Sequence, residues 1–386
     1  MRILLTIHEK FIPDSGAAGS TFRIGQQYER LGHEVLYFSM DDMPRFLGPH
    51  LERVLFPEFI AAHITKCLRH KSLDVIDGSP GDLWFWAKMA RRLDHRPILV
   101  TRSHGLHHLE HVWHLEEARQ GNLNLGWMYS LYRGGIKLWE VAHSLRDSDL
   151  AFLLNQQEAD YVVNKLNVNQ KKVHIFPNGI PDEFIGLPFE SLSDTEESVI
   201  RIAQIGTYIQ RKGIQYSVPA LRNILIRYPQ IEVSFIGIGF PELEHPEKVV
   251  YEDFDPVLHP RIKVIPSYRH ETLPNLLKGH HIKLFSSLSE GFGKALVEAM
   301  ACGLAPVTTN AAGPMEIVRD GQDAIVVPMR DSLAIEKALE QLITDRHYLE
   351  YLRQNAYTSA QRFSWRHIAK ERLLRYEEAL QSRGHR

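Results

Sequence analysis

Short apolar runs alternate along this chain with longer stretches in which apolar residues recur at helical spacing. RILLTI, GHEVLYF, LDVID, RPILVTR, SDLAFLLN and KKVHIF read as strands in the first half. VIRIAQIG, IEVSFIGIG, RIKVIPSY, HIKLF, APVTT and DAIVVP read as strands in the second. Helical spacing is predicted through Leu31, over GDLWFWAKMARRL, from Gln156 to about Lys165, after TYIQRKG, and throughout from Ser332. Strand and helix in strict alternation predict an α/β chain of doubly wound sheets. The rhythm stops after IFPNGI and restarts at VIRIAQIG, so the expected domains are 1–183 and 198–364. Residues 184–197, with Pro188 and the polar run SLSDTEES, are the expected linker, and 365–386 a closing helix. No internal repeat or low-complexity tract interrupts this plan.

Composition narrows the function classes. A chain of 386 residues exceeds one ordinary core, and 44% hydrophobic with 24% charged residues is the balance of a soluble globular protein. A formal net charge of −2 gives no broad cationic field for nucleic acid. Two cysteines, Cys67 and Cys302, form no disulfide framework and fit a reducing compartment. MRILLTIHEKF becomes charged too soon for a signal peptide, and no run approaches a membrane span. A cytoplasmic protein is the expectation, and no motif sets an oligomeric state.

The chemistry concentrates in SSLSEGFGKALVEAMACGLAP, residues 286–306. Ala295, Leu296, Ala299 and Met300 recur at helical spacing, and Gly303 is a stop signal. Gly291 and Gly293 therefore stand at a helix entrance. There the backbone N–H groups of Phe292, Gly293, Lys294 and Ala295 suit an anion such as a diphosphate. Glu290 and Glu298, with seven residues between them, repel phosphate and are better read as acceptors for sugar hydroxyls. An anion cradle flanked by two hydroxyl acceptors fits a nucleotide-sugar. Arg211 and Lys212 follow the end of VIRIAQIG, where cations can meet a diphosphate; the alternative is a pair of exposed charges at a helix start. Gly16 and Gly19, in the loop after RILLTI, mark either a tight turn or a close approach to ligand.

The pattern E-G-F-G-x4-E-A-M-A-x-G resembles the donor-site motif of the retaining glycosyltransferases of family four, which have the GT-B fold. The resemblance extends along nearly the whole chain, through the first loop before G-H-E-V, I-F-P-N-G-I, and FSWRHIAKERLLRYEEAL. Gly206, Lys212 and Gly213 match the family's G-R-L-x-x-x-K-G, whereas Thr207 stands where the family usually has arginine. The resemblance implies two Rossmann-like domains facing across a cleft, acceptor side first and donor side second, with the closing helix crossing back onto the first domain. It implies transfer of a sugar from a nucleoside diphosphate sugar to a hydroxyl of a glycan, glycolipid or small molecule, with retained configuration. No metal or resident cofactor is implied. Glu290 would hold sugar hydroxyls, Glu298 the ribose hydroxyls, and His104, in Ser103-His104-Gly105 after RPILVTR, the donor sugar. The first loop with Gly16 and Gly19 would face the donor, Gly237-x-Gly239 would turn near the nucleotide, and Tyr268 would lie near the base. Arg211, Lys212 and the N–H groups of 292–295 would stabilise the leaving diphosphate.

Other readings compete locally. His107-x-x-Glu110-His111, within HGLHHLEHVWH, copies an inverted zinc-peptidase pattern, but no third ligand follows and a polar or acceptor-facing helix reads better. LGWMYSLYRGGIKLWEVAHSL, residues 125–145, reads as core aromatics or as an interfacial helix touching lipid; Gly134-Gly135 and Glu140 favour the core, and peripheral membrane contact stays open. Asp147-x-Asp149 reads as helix-end turn residues. Glu316 reads as a helix-start carboxylate. A nucleotide-sugar epimerase or hydrolase, and a non-catalytic sugar-nucleotide or glycan-binding protein, are the competing functions. No segment argues for the pyridoxal phosphate lysine that a phosphorylase needs.

Overall fold

The computed structural model describes residues 1–12, 16–44, 46, 48–93, 95–192, 199–239 and 245–384. They form two units, residues 1–179 with 365–386, and residues 180–364. In the first unit, β1 (Arg2–Ile7), β2 (Glu34–Ser39), β3 (Val75–Gly78), β4 (Ile98–Arg102), β5 (Leu150–Leu153) and β6 (Val173–Ile175) make one sheet in the order β2-β1-β3-β4-β5-β6. In the second, β7 (Ile200–Ile205), β8 (Ile231–Ile236), β9 (Ile262–Ile265), β10 (Ile282–Phe285), β11 (Ala305–Thr309) and β12 (Ile325–Val327) are ordered β12-β11-β10-β7-β8-β9. Every pairing is parallel. All twelve strands fall on the apolar runs of the sequence.

A parallel sheet is covered by helices on both faces, so its strand residues alternate between two apolar layers. Ile3 and Leu5 face a layer with Tyr28, Phe152, Trp365 and Tyr376, whereas Leu4 faces one with Phe56, Ile60 and Trp86. Both sheets reverse their winding direction once, beside β1 in the first and between β7 and β10 in the second. In open α/β sheets the carboxyl ends of strands at such a reversal form the ligand crevice.

The closing helix, Trp365–Gly384, belongs to the first unit and packs beside helix Ala17–Arg30. Beneath it lies a buried polar chain. Tyr376 Oη donates to Asp77 Oδ2 at 2.6 Å and shares a hydrogen bond with Tyr28 Oη at 3.1 Å. Arg102 Nε donates to Asp77 Oδ1 at 2.9 Å. Burial works against the Arg102 charge, but the adjacent Asp77 carboxylate outweighs it and holds the proton more firmly than usual.

Two local expectations are corrected. Helix Ala17–Arg30 takes in Ala17–Ser20, so Gly19 is helical and Gly16, at φ −62°, opens the helix without needing a left-handed backbone. A Cβ on Gly16 would meet nothing within 4 Å among the described residues, so no close packing requires glycine there; Pro13 to Ser15 lie outside the described residues. Residues 184–192 of the expected linker belong to the second unit. Tyr357 Oη donates to Leu187 O at 2.6 Å, and Arg353 donates to Glu190 O at 2.8 Å while stacking over Phe189. Residues 193–197 lie outside the described residues.

Asp77 is 0% and Arg102 2% exposed, so removing one charge strands the other in the core. Asp77→Ala is expected to lower stability by about 3–5 kcal/mol, the usual cost of breaking a buried ion pair from one side. Urea unfolding against the parent protein measures it; a loss under about 1 kcal/mol contradicts the account.

Candidate functional site

In the second unit, the loops leaving β7 and β10 are locked together at the winding reversal. Leu288 N donates to Arg211 O at 2.9 Å, Ser286 Oγ to Lys212 O at 2.8 Å, and Arg211 Nη1 to Ser289 O at 3.1 Å. Gly213 has φ +71°, and a Cβ there would overlap the carbonyl oxygen of Ser286. Only glycine admits both the conformation and the approach. The lock lays the Lys212 ammonium against the Glu290 carboxylate, which also accepts from Ser287 Oγ at 3.0 Å. Burial acts to raise the Glu290 carboxyl, but Lys212, Arg211 and the two side-chain hydrogen bonds outweigh it and hold the group below its usual value. It stays ionised at neutral pH.

Helix Lys294–Ala301 opens at Gly293, whose φ of +114° turns the chain sharply from loop to helix. Phe292 is buried with its ring against Phe363, and Gly313 brings bare backbone onto the 290–292 loop, its N–H donating to Glu290 O at 3.2 Å. Glu298 lies on this helix, 3% exposed, with Oε1 2.8 Å from His270 Nε2. Tyr268, two residues before that histidine, lays its ring across the backbone of Gly237. Burial first and Glu298 second push its phenol above the usual range. Two cations, two carboxylates and a helix amino end thus gather at the carboxyl edge of one sheet. Such a set can take an anion and several hydroxyl groups together.

In the first unit, His104 follows β4. Arg102 Nη1 lies 3.0 Å from His104 Nε2 and 2.9 Å from Thr21 Oγ1. A guanidinium only donates, so Nε2 of His104 is the acceptor and its proton sits on Nδ1. Buried Glu158 fixes this loop by accepting from Leu106 N at 2.9 Å and Leu154 N at 3.0 Å. At the reversal beside β1, Asp82 accepts from Thr6 Oγ1 at 2.8 Å and pairs with His8 Nδ1 at 2.8 Å. The His107 ring lies 5.9 Å from His8, and Lys137 Nζ is 3.7 Å from Glu140 Oε2. Burial, then the nearby Glu58 and Asp82, push the Glu140 carboxyl up to about 7 despite Lys137. His107 is driven well below its ordinary value by burial and by Lys137. The zinc-like pair is divided: His107 faces His8, while His111 bonds Tyr129 Oη at 3.0 Å. Among the described residues, no three of His, Cys, Asp and Glu are gathered for a metal. Asp147 and Asp149 serve as ties, to Arg91 and to Arg96, Arg383 and Leu99 N.

Comparison with known proteins fits this architecture. Residues 190–359 match the family model Glycosyl transferases group 1, and residues 15–184 match Glycosyltransferase Family 4. The chain thus carries one glycosyltransferase-family match in each half, family 4 in the first and group 1 in the second. A phosphatidylinositol N-acetylglucosaminyltransferase subunit from Arabidopsis thaliana is 28% identical over 241 residues, 61% of this chain and 51% of its own length. The chain thus spans about half the length of that relative. Among solved structures, sucrose-phosphate synthase from Thermosynechococcus elongatus superposes with a TM-score of 0.77 at 18% identity, covering 99% of both chains. Anabaena HepE in complex with UDP superposes at 0.72 and 16% identity, over 98% of this chain and 100% of its own. These structures show the fold, which is GT-B.

Arg211, Lys212, Glu290, Gly291, Phe292, Gly293, Lys294, Ala295 and Glu298 all lie on the loops and helix at the β7–β10 edge. His104, Gly16 and Gly19 lie in the first unit. Sequence reasoning missed His270, one histidine among 21 and 28 positions from Glu298. It missed Lys283, which reads as an ordinary residue of the strand HIKLF, and the His8–Asp82 pair, which has no local pattern. Of residues 125–145, for which it favoured the core, Val141, Ala142 and Leu145 are buried, whereas Trp127, Met128, Leu131 and Trp139 are exposed, Trp127 by 75%. Helix Tyr129–Ile136, which contains Leu131 and Gly134-Gly135, is of the widened π type.

Glu140 offers a direct pH test. Its folded pKa lies above the unfolded value, so its favourable contribution is complete below about pH 4.5 and lost as pH rises to about 7. Glu140→Gln removes that loss. Between pH 5 and 7.5 the variant is expected to gain on the order of 1–3 kcal/mol relative to the parent. Urea midpoints at both pH values measure the difference; parallel pH profiles contradict it.

Proposed function

We propose that the protein moves a sugar from a nucleoside diphosphate sugar to an acceptor hydroxyl, with retention, in glycan or glycoconjugate biosynthesis. The observation that carries this reading is the Lys212–Glu290 pair, a cation and a hydroxyl acceptor fixed side by side by two backbone-locked loops at the winding reversal. The barrier in such a transfer is charge growing on the departing diphosphate while the anomeric carbon becomes electron-poor. Lys212 and Arg211 meet the diphosphate with positive charge, and the N–H groups at the start of helix Lys294–Ala301 add aligned donors. No metal is required for that neutralisation. Glu290 accepts from sugar hydroxyls and Glu298 from the ribose. His104 contacts the donor sugar, and the first loop with Gly16 and Gly19 approaches the donor. With no side chain assigned as nucleophile, the acceptor oxygen bonds to the anomeric carbon on the face that the diphosphate leaves. The departing phosphate oxygen takes the acceptor proton.

UDP in the Anabaena structure makes uridine the first base to test. A nucleotide at about 100 times its dissociation constant adds roughly 2.7 kcal/mol, a shift of a few degrees for a chain of this size. Thermal unfolding with UDP, GDP and ADP is expected to show that shift for one base, mostly lost in Glu298→Ala. Lys212→Ala and Arg211→Ala are each expected to lower kcat by about 10²–10³. Donor consumed without acceptor points to a hydrolase or epimerase, and binding without turnover under a broad acceptor panel to a binding protein. A trapped glycosyl-enzyme adduct overturns the same-face mechanism.

The acceptor is assigned to the first unit, where His8, Asp82, Lys137 and Glu140 line the reversal beside β1. A lipid-linked acceptor with peripheral membrane contact is the form we favour. Exposed Trp127, Met128, Leu131 and Trp139 make an apolar surface, and Lys88 Nζ stands 4.4 Å over the Trp139 ring. No described helix is long and apolar enough to cross a membrane. Anionic vesicles are expected to sediment the protein and neutral ones to do so less, with Trp127→Ser and Leu131→Ser together lowering the bound fraction several-fold. Equal recovery of variant and parent contradicts this contact.

A further inference from the structure

Lys283 sits in the middle of β10 and is 0% exposed. Its strand neighbours Ile282 and Leu284 point into the large apolar cluster on one side of the sheet, so Lys283 projects from the other side with Phe285. Its Nζ makes no hydrogen bond among the described residues. It lies 5.5 Å from the centre of the Phe285 ring, and Lys212 Nζ stands 5.7 Å from that same centre. The far edge of the ring, in turn, is 3.4 Å from where a Cβ on Gly293 would be. One aromatic ring therefore joins Lys283, Lys212 and the entrance of helix Lys294–Ala301.

A buried amine with no partner is expensive, because it has given up water and received nothing. A leucine would fill the same place without that cost. The carboxylates within electrostatic reach cannot serve it well, since Glu290 is engaged by Lys212 and Glu298 by His270. A partner for this nitrogen must therefore arrive from outside the chain, and it must be an anion or a strong acceptor. We propose that Lys283 is a third cation of the donor pocket, which meets the diphosphate of the bound nucleotide as an ammonium. The proposal rests on the donor-site reading given above.

The charges around the site give it a pH signature. Burial and the neighbouring Lys212 hold the Lys283 ammonium well below its ordinary stability, against the weaker support of Glu298 and Glu290. Arg211 lies beyond Lys212, and His270 sits on Glu298. A diphosphate brings the charge that favours the ammonium form of this nitrogen, and the proton comes from the buffer. Nucleotide binding thus takes up a proton.

Calorimetric titration with UDP, GDP and ADP at pH 8.5, in two buffers of different ionisation enthalpy, reads that uptake. Histidines and the terminal phosphate are already unprotonated there, so they do not obscure it. The parent protein is expected to take up a substantial fraction of one proton per nucleotide bound. Lys283→Met is expected to bind at least tenfold more weakly with no uptake, and to melt at a higher temperature without nucleotide. Binding by the parent without uptake, or equal affinity in Lys283→Met, overturns the proposal. Should the variant fail to fold, uptake by the parent decides alone. Should none of the three nucleotides bind the parent, the donor-site reading falls, and this inference with it.

Discussion

The contact on which the second unit's chemistry depends is between two pieces of backbone. Gly213 approaches the Ser286 carbonyl so closely that any side chain would overlap it. The loops after β7 and β10 are adjacent because the strands are, but adjacency alone leaves them free to splay. The close approach and the three hydrogen bonds flanking it remove that freedom, and Lys212 then has one direction in which to extend. Glu290 waits there, reached from the other loop. An ion pair removed from water gains little net stability, since desolvating both charges offsets most of their attraction. Its presence at the edge of the sheet is better explained by the chemistry of a ligand than by folding.

The first unit solves a similar problem with side chains. Asp77 and Arg102 project from neighbouring strands, and Tyr376 of the closing helix caps the carboxylate from above. The paired charges do two things at once. They bind the last helix of the chain to its first sheet, and they leave one guanidinium nitrogen to fix the tautomer of His104. A residue of proposed function is thereby held by the element that closes the fold. Disturbing the far end of the chain should reach His104 through this route.

How much of this was legible depended on whether a signal was local. The twelve strands were, because each is a short apolar run between turn residues. The 286–306 segment was too, because its glycines, glutamates and helical spacing fall within three turns. Lys283 was invisible because a lysine in a strand normally lies at an edge facing water, and only the two-sided cover of β10 makes it a buried charge. His270 and Glu298, or His8 and Asp82, meet through the sheet's winding, which no spacing encodes. The aromatic stretch at 125–145 was legible only in part: Val141, Ala142 and Leu145 are core as favoured, whereas Trp127, Met128, Leu131 and Trp139 are exposed, a division that helical spacing alone does not encode. Gly19 failed likewise: glycine suggested a turn, and the helix simply includes it.

The pairing of charges at the β7–β10 edge has a consequence for how a donor is received. Both carboxylates proposed to hold hydroxyl groups are engaged by nitrogen groups, Glu290 by the Lys212 ammonium and Glu298 by the His270 ring. A diphosphate drawn to Lys212 competes with Glu290 for it, and each oxygen it gains releases carboxylate capacity for a sugar hydroxyl. One ion pair is exchanged for another, so the desolvation of Lys212, already suffered in folding, is not repeated on binding. The two halves of a nucleotide-sugar are then received together. The phosphate frees the acceptor that the sugar needs, and a sugar without a diphosphate meets a carboxylate still held by lysine. On the proposed roles of these residues, selectivity for the intact donor over its separate parts would follow from this arrangement, with no contact added for the purpose.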